Sequence, residues 1–70
     1  MLIQTEHGKL KLVSSKLNKC EEIEQIDEVY GRFDIIIKIV VENQDELKKF
    51  IQNKIFIVEG ITDTETLLVY

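Results

Sequence analysis

The 70-residue chain has no proline and no tryptophan, only three glycines, and a single cysteine, histidine and arginine. Each shortage excludes something. With no proline and so little glycine there is little material for irregular loops, so regular structure must dominate. The lone Cys20 forbids an internal disulfide, and one cysteine plus one histidine fall short of the about four grouped ligands of a structural zinc site. Basic charge is also short: nine lysines and arginines against thirteen acidic residues leave a net charge of -4. That is the wrong sign for a surface that displaces counterions from a nucleic acid. No apolar run approaches the roughly 20 residues of a membrane span, and the first residues lack the basic-then-apolar pattern of a secretory signal. The expectation is a cytoplasmic protein with no metal and no cofactor, binding neither nucleic acid nor membrane directly. Seventy residues make one domain. Such a small domain buries a modest fraction of its surface and needs a supplement. With disulfide and metal excluded, self-association is the supplement that remains.

What is present is centred on Val29 to Val41. The stretch from Ile35 to Val41 is the longest apolar run, almost wholly β-branched, with Tyr30-Gly31-Arg32-Phe33-Asp34 at its mouth. That composition fits a strand. Ile35, Ile37, Ile39 and Val41 share one face, and Ile36 and Val40 share the other with Lys38. Apolar residues on both faces point to a central strand covered above and below.

The flanking segments supply candidate covers. Met1 to Thr5 reads as a short strand, broken at Glu6-His7-Gly8. From Lys9 to Cys20, Leu10, Val13, Leu17 and Cys20 recur at helical spacing, with Leu12 the misfit. Lys9 to Leu12 also alternates as a strand would, which would make Glu6 to Gly8 a hairpin turn. In Glu21 to Tyr30 the apolar Ile23, Ile26 and Val29 fall three apart, a helical interval. A strand with a bulge near Gln25 to Asp27 fits as well, forming a hairpin with the central strand through Gly31; the strand reading is preferred. Asn43 and Glu46 have the spacing of a helix cap, ahead of a stripe of Leu47, Phe50, Ile51, Ile55 and Val58, with Gly60 as terminator. Ile61 to Tyr70 reads as the last strand. The order strand, helix, strand, strand, helix, strand is that of the α+β, ferredoxin-like βαββαβ sandwich, an antiparallel four-stranded sheet with two helices on one face. The uncovered sheet face then calls for a second copy, giving a dimer through sheet faces.

Two motifs in this order resemble one family. Tyr30-Gly31-Arg32-Phe33-Asp34-Ile35-Ile36 resembles the YGxYD-plus-apolar signature of the effector (RAM) domain of the leucine-responsive/asparagine regulator (Lrp/AsnC) family. Gly60-Ile61-Thr62-Asp63-Thr64-Glu65-Thr66-Leu67-Leu68-Val69 is similar to its closing GVxxTxT-and-strand element. The chain departs from the pattern in a shorter first strand and in His7, where the family usually has proline. The resemblance covers nearly the whole chain and implies a single effector-binding and oligomerisation domain over residues 1–70, without the DNA-binding half. It further implies sheet-face dimers that assemble into tetramers, octamers or rings, an amino-acid effector held in clefts between dimers, and co-assembly with full-length Lrp/AsnC regulators.

By that resemblance Gly31, Arg32, Asp34, Thr64 and Thr66 map onto ligand-binding positions. The chemistry suits an amino acid. Gly31 admits close backbone approach, Asp34 offers a carboxylate to an ammonium, and Thr64 and Thr66, two apart, share a strand face. Asp34→Ala is expected to weaken such binding without unfolding the domain. Each residue also has a plainer reading. Gly31 and Asp34 serve a turn, Thr64 and Thr66 are good strand formers, Tyr30 and Phe33 belong to core or interface, Cys20 is core, and Glu21, Glu22 and Glu24 are solvated. Two other functions stand beside the sensor. One is a purely structural assembly domain with no ligand. The other is a small ferredoxin-like enzyme, disfavoured because no Ser/His/Asp or Cys/His set is available and the single Arg32 cannot build an anion-cradling loop near the N-terminus. The sequence therefore reads as non-catalytic.

Overall fold

The apolar run becomes a strand in the interior of a four-stranded antiparallel sheet. The computed structural model describes residues 1–67. In chain order the elements are β1 (Leu2–Thr5), α1 (Leu10–Leu17), β2 (Ile23–Glu28), β3 (Ile35–Ile39), α2 (Gln44–Phe50) continued by a π-helical segment (Ile51–Ile55), and β4 (Ile61–Glu65). Across the sheet the strands lie β2-β3-β1-β4, so β3 and β1 are central and β2 and β4 are edges. This is the expected α+β, ferredoxin-like order. The last part of the expected final strand, residues 68–70, lies outside the described residues.

The core sits between the helices and one face of the sheet. Ile3 of β1 and Ile35 and Ile37 of β3 are buried against Val13 and Leu17 of α1 and against Phe50 and Ile55 of the second helical stretch. The Leu10, Val13, Leu17, Cys20 stripe is realised, with Leu10 and Cys20 packed at the margin of the core. Leu12, the misfit, is exposed. The helical reading of this segment therefore prevails over the strand alternative.

For β2 the bulged-strand reading prevails. Its register with β3 shifts between Ile23 and Gln25, so Ile23 faces Ile39 and Ile26 faces Ile37. One extra residue, Glu24, lets two isoleucines three apart both turn toward the helices.

The second helix starts as expected and ends differently. The Asn43 side chain accepts a hydrogen bond from the Glu46 amide at 2.9 Å, and Glu46 Oε2 accepts one from the Glu42 amide at 3.3 Å. That arrangement satisfies two otherwise orphaned amides. The helix does not run on to Val58, however. It widens after Phe50, where the Phe56 amide donates to the Ile51 carbonyl at 2.9 Å, and it stops at Ile55. Gly60 is therefore not its terminator. Gly60 has φ of +103°, and a Cβ placed there would sit 3.0 Å from both Lys9 Cβ and Val13 Cγ2. Its glycine is required by the close approach of the start of β4 to α1.

The expectation that β3 is covered on both faces is corrected within one chain. Ile35 and Ile37 are buried, but Ile36 is 39% and Val40 60% exposed on the opposite side. Helices cover one face only, and the second face is open.

Candidate functional site

The polar residues near the β3 mouth are tied to the end of β1. The turn between β2 and β3 closes through the Val29 amide, which donates to the Asp34 carbonyl at 2.9 Å. Gly31 has φ of +138°, with nothing within 4 Å of the place a Cβ would take. A positive φ is what the turn demands of this position. The Asp34 amide donates to the Ile3 carbonyl at 2.9 Å, anchoring the loop to β1. The Asp34 carboxylate goes further: its Oδ2 accepts from the Thr5 amide at 2.8 Å and from the Thr5 hydroxyl at 3.1 Å.

A second tie runs through Gln4. Its Nε2 donates to the Arg32 carbonyl at 3.1 Å, and its Oε1 accepts from the Thr62 hydroxyl at 3.3 Å. The same hydroxyl lies 3.2 Å from the Gln4 carbonyl. The Arg32 guanidinium leaves the cluster and lies over the Phe33 ring, 5.5 Å from its centroid, a cation–π contact. Tyr30 is fully exposed at the tip of the loop.

Three of the five expected site residues, Gly31, Arg32 and Asp34, thus share one loop at one end of the sheet. The threonines lie elsewhere. Thr64 pairs with Ile3 on the far side of β1 from β3, so it faces the helices and is half-buried. Thr66 lies at the opposite end of the sheet, where it lines a groove of about 620 Å³ with Leu2, Ile36, Val40, Leu47 and Leu67. One chain therefore does not bring the five residues around a single cavity. Sequence reasoning missed Gln4, Thr5 and Thr62, which hold the loop in place. Their partners are separated by 28, 29 and 58 positions, so no local spacing could have exposed them. Gln4 alone carried a signal, as a polar side chain following the apolar Met1-Leu2-Ile3.

Among the described residues no group of three His, Cys, Asp or Glu side chains could hold a metal ion. No helix among them is long and apolar enough to cross a membrane.

A small α+β sandwich with an open sheet face and a polar loop clamped at its rim has the build of a binding domain, with its chemistry at the edges of the fold. The comparisons with known proteins make the class specific. A family model described as the Lrp/AsnC ligand binding domain matches residues 1–70, and the chain belongs to that family. Among its relatives, the HTH-type transcriptional regulator FL11 of Pyrococcus furiosus is 36% identical over 69 residues, which are 99% of this chain and 45% of that protein. The regulatory protein AsnC of Escherichia coli (strain K12) is 36% identical over 58 residues, covering 79% of this chain and 38% of its own length. The chain thus spans less than half the length of these regulators. The crystal structure of FFRP-DM1 superposes with a TM-score of 0.93 at 32% identity, covering 99% of this chain and 92% of that one. The fold and the family anticipated from the two sequence motifs are those found.

Proposed function

We propose that this domain senses a small molecule, an amino acid, and couples that to assembly. It dimerises through its open sheet face, its dimers join into tetramers, octamers or rings, and the same surfaces let it co-assemble with full-length Lrp/AsnC regulators in the cytoplasm. In this reading it has no catalytic role, and nucleic acid is contacted only by the partner. The observation that carries the proposal is the division of the candidate residues. Gly31, Arg32 and Asp34 lie at one end of the sheet and Thr66 at the other, beside Val40, and the exposed Ile36 and Val40 belong to the open face. A site made from such halves closes only when copies meet, so ligand binding and assembly become one equilibrium.

The purely structural reading has one specific observation in its favour. Asp34 Oδ2 is already occupied by the Thr5 amide and hydroxyl, so Asp34 serves the fold whether or not a ligand comes. A thermal-shift panel with the twenty amino acids at fixed protein concentration separates the two. A ligand at about 100 times its dissociation constant adds about 2.7 kcal/mol to the native state. For a domain of this size that raises the melting temperature by roughly 10 °C or more. A selective rise supports the sensor and names the effector; a flat panel favours the structural assembly domain.

A further inference from the structure

A separate cleft lies at the end of the sheet away from the Tyr30 to Asp34 loop. It opens between the second helical stretch, the start of β2 and the end of β3, and holds about 320 Å³. Glu22 and Val41 line it from the strand ends, and Lys49, Phe50, Asn53 and Lys54 from the helical stretch. It shares only Val41 with the groove beside Thr66, so it is not part of the open sheet face. Two backbone features shape it. The Val40 amide donates to the Glu22 carbonyl at 3.2 Å, which holds Glu22 beside the end of β3. The π-helical segment Ile51–Ile55 does the rest. Lys49 and Lys54 are five residues apart, an interval that an α-helix sets on different faces. The wider winding returns Lys54 to the side of Lys49, and both line one cleft.

The charges here are not paired with one another. Among the described residues the ion pairs are Lys11–Glu28 and Lys38–Glu24, so Lys49, Lys54 and Glu22 keep unmatched charges. Glu46 also lines the cleft, but its carboxylate accepts from the Glu42 amide. Lys54 and Glu22 act on the Cys20 thiol in opposite senses, so both charges reach one neighbourhood. What remains for a ligand is two cations, one carboxylate and the Asn53 amide beside the apolar Val41 and Phe50.

We propose that this cleft binds an acidic amino acid, with its ammonium at Glu22, its two carboxylates at Lys49 and Lys54, and its methylenes against Val41 and Phe50. The charge count carries the choice. A plain dicarboxylate leaves Glu22 facing an anion, and a neutral amino acid leaves one lysine unmatched. Charge-assisted hydrogen bonds are the strong ones, and a few fixed polar groups beside an apolar wall are the usual make-up of a small-ligand site. The cleft is complete within one chain, so it does not rest on the assembly-dependent site proposed above.

Titration of the isotope-labelled full chain with L-glutamate, followed by amide NMR shifts, tests this. Shifts should move at Glu22, Lys49, Asn53 and Lys54, with the same affinity at every protein concentration. Glutarate, which lacks the ammonium, and L-glutamine, which lacks the second carboxylate, should each bind about tenfold more weakly. Lys54→Gln should weaken L-glutamate by a similar factor. Glu22→Gln should narrow the gap between L-glutamate and glutarate, with circular dichroism confirming that both variants fold. The absence of shifts at millimolar L-glutamate overturns the proposal, as does equal binding of the three ligands or a preference that ignores Glu22→Gln. A response centred on Gly31 to Asp34 also overturns it, and supports the loop site instead.

Discussion

Gly60→Ala should be the most damaging single methyl in this protein, and the reason can be separated into two parts by a control. Gly60 has a positive φ, and a Cβ there would lie 3.0 Å from Lys9 Cβ and from Val13 Cγ2. Neither neighbour can retreat easily. Lys9 Cβ is fixed to the backbone at the start of α1, and Val13 is fully buried in the core. The left-handed conformation alone costs an alanine about 1–2 kcal/mol, and forcing a carbon into a packed site costs about 1–3 kcal/mol more. The expected loss is about 2–5 kcal/mol, against a total stability of roughly 4–10 kcal/mol for a chain of this length. Gly8 provides the control: its φ is +83°, but nothing lies within 4 Å of its would-be Cβ. Gly8→Ala should therefore show the backbone cost alone, about 1–2 kcal/mol. Urea unfolding followed by circular dichroism gives both values on one scale. Gly60→Ala should unfold at markedly lower urea with an unchanged m-value. If the two alanines cost the same, the close approach of the β4 start to α1 is wrong, and Gly60 is there only for its backbone angle.

Other outcomes follow from the same contacts. Asp34→Ala should weaken amino-acid binding, but it also strips the half-buried Thr5 amide of its acceptor, so urea unfolding should show a loss of about 1–3 kcal/mol; Asp34→Asn, which keeps a carbonyl oxygen, should cost less. Ile36→Asp places a charge in the middle of the open face; on the proposed sheet-face dimer, sedimentation should show a dimer for the parent chain and a folded monomer for the variant. Burial pushes the Cys20 thiol up from its ordinary value, with Glu22 adding to the effect and Lys54 opposing it. The native state therefore favours the neutral thiol, and stability should fall as pH rises past the unfolded-state value of 9.0. Comparing urea midpoints at pH 8 and pH 10 against Cys20→Ser isolates that contribution, and Cys20 should react with thiol reagents more slowly in the native protein than in urea.

The parts of the fold that depend on local chemistry were legible in the chain. The spacing of Leu10, Val13 and Leu17 located α1, and Asn43 with Glu46 located the start of α2, because a helix stripe and a helix cap are written within a few residues. A bulge in β2 was legible too, from isoleucines three apart in the segment preferred as a strand over a helix, although it falls at Glu24, just ahead of the expected Gln25 to Asp27. The end of the second helix was not. An apolar stripe of Phe50, Ile51 and Ile55 is compatible with an α-helix and with a wider turn, and the pattern does not say which. Gly60 was misread for a related reason. A glycine after a helix is the usual terminator, and only the tertiary position of Lys9 and Val13 reveals the other need. In the candidate site, Gly31 and Asp34 stood out as the mouth of the apolar run. The residues that clamp that loop, Gln4, Thr5 and Thr62, come from strands that meet it only once the sheet has formed.

The widened turn after Phe50 gives this helix an unusual tolerance in length. In an α-helix each residue advances 100°, so five steps from Phe50 to Ile55 would leave their side chains about 140° apart. The π winding takes up the surplus and keeps both on the core. Removing one exposed residue of the segment, Gln52 or Asn53, would turn five steps into four, which an ordinary α-helix already places about 40° apart. The domain can therefore lose a residue at this point with its buried face still aimed at the sheet, whereas the same deletion inside α1 would rotate Leu17 away from the core.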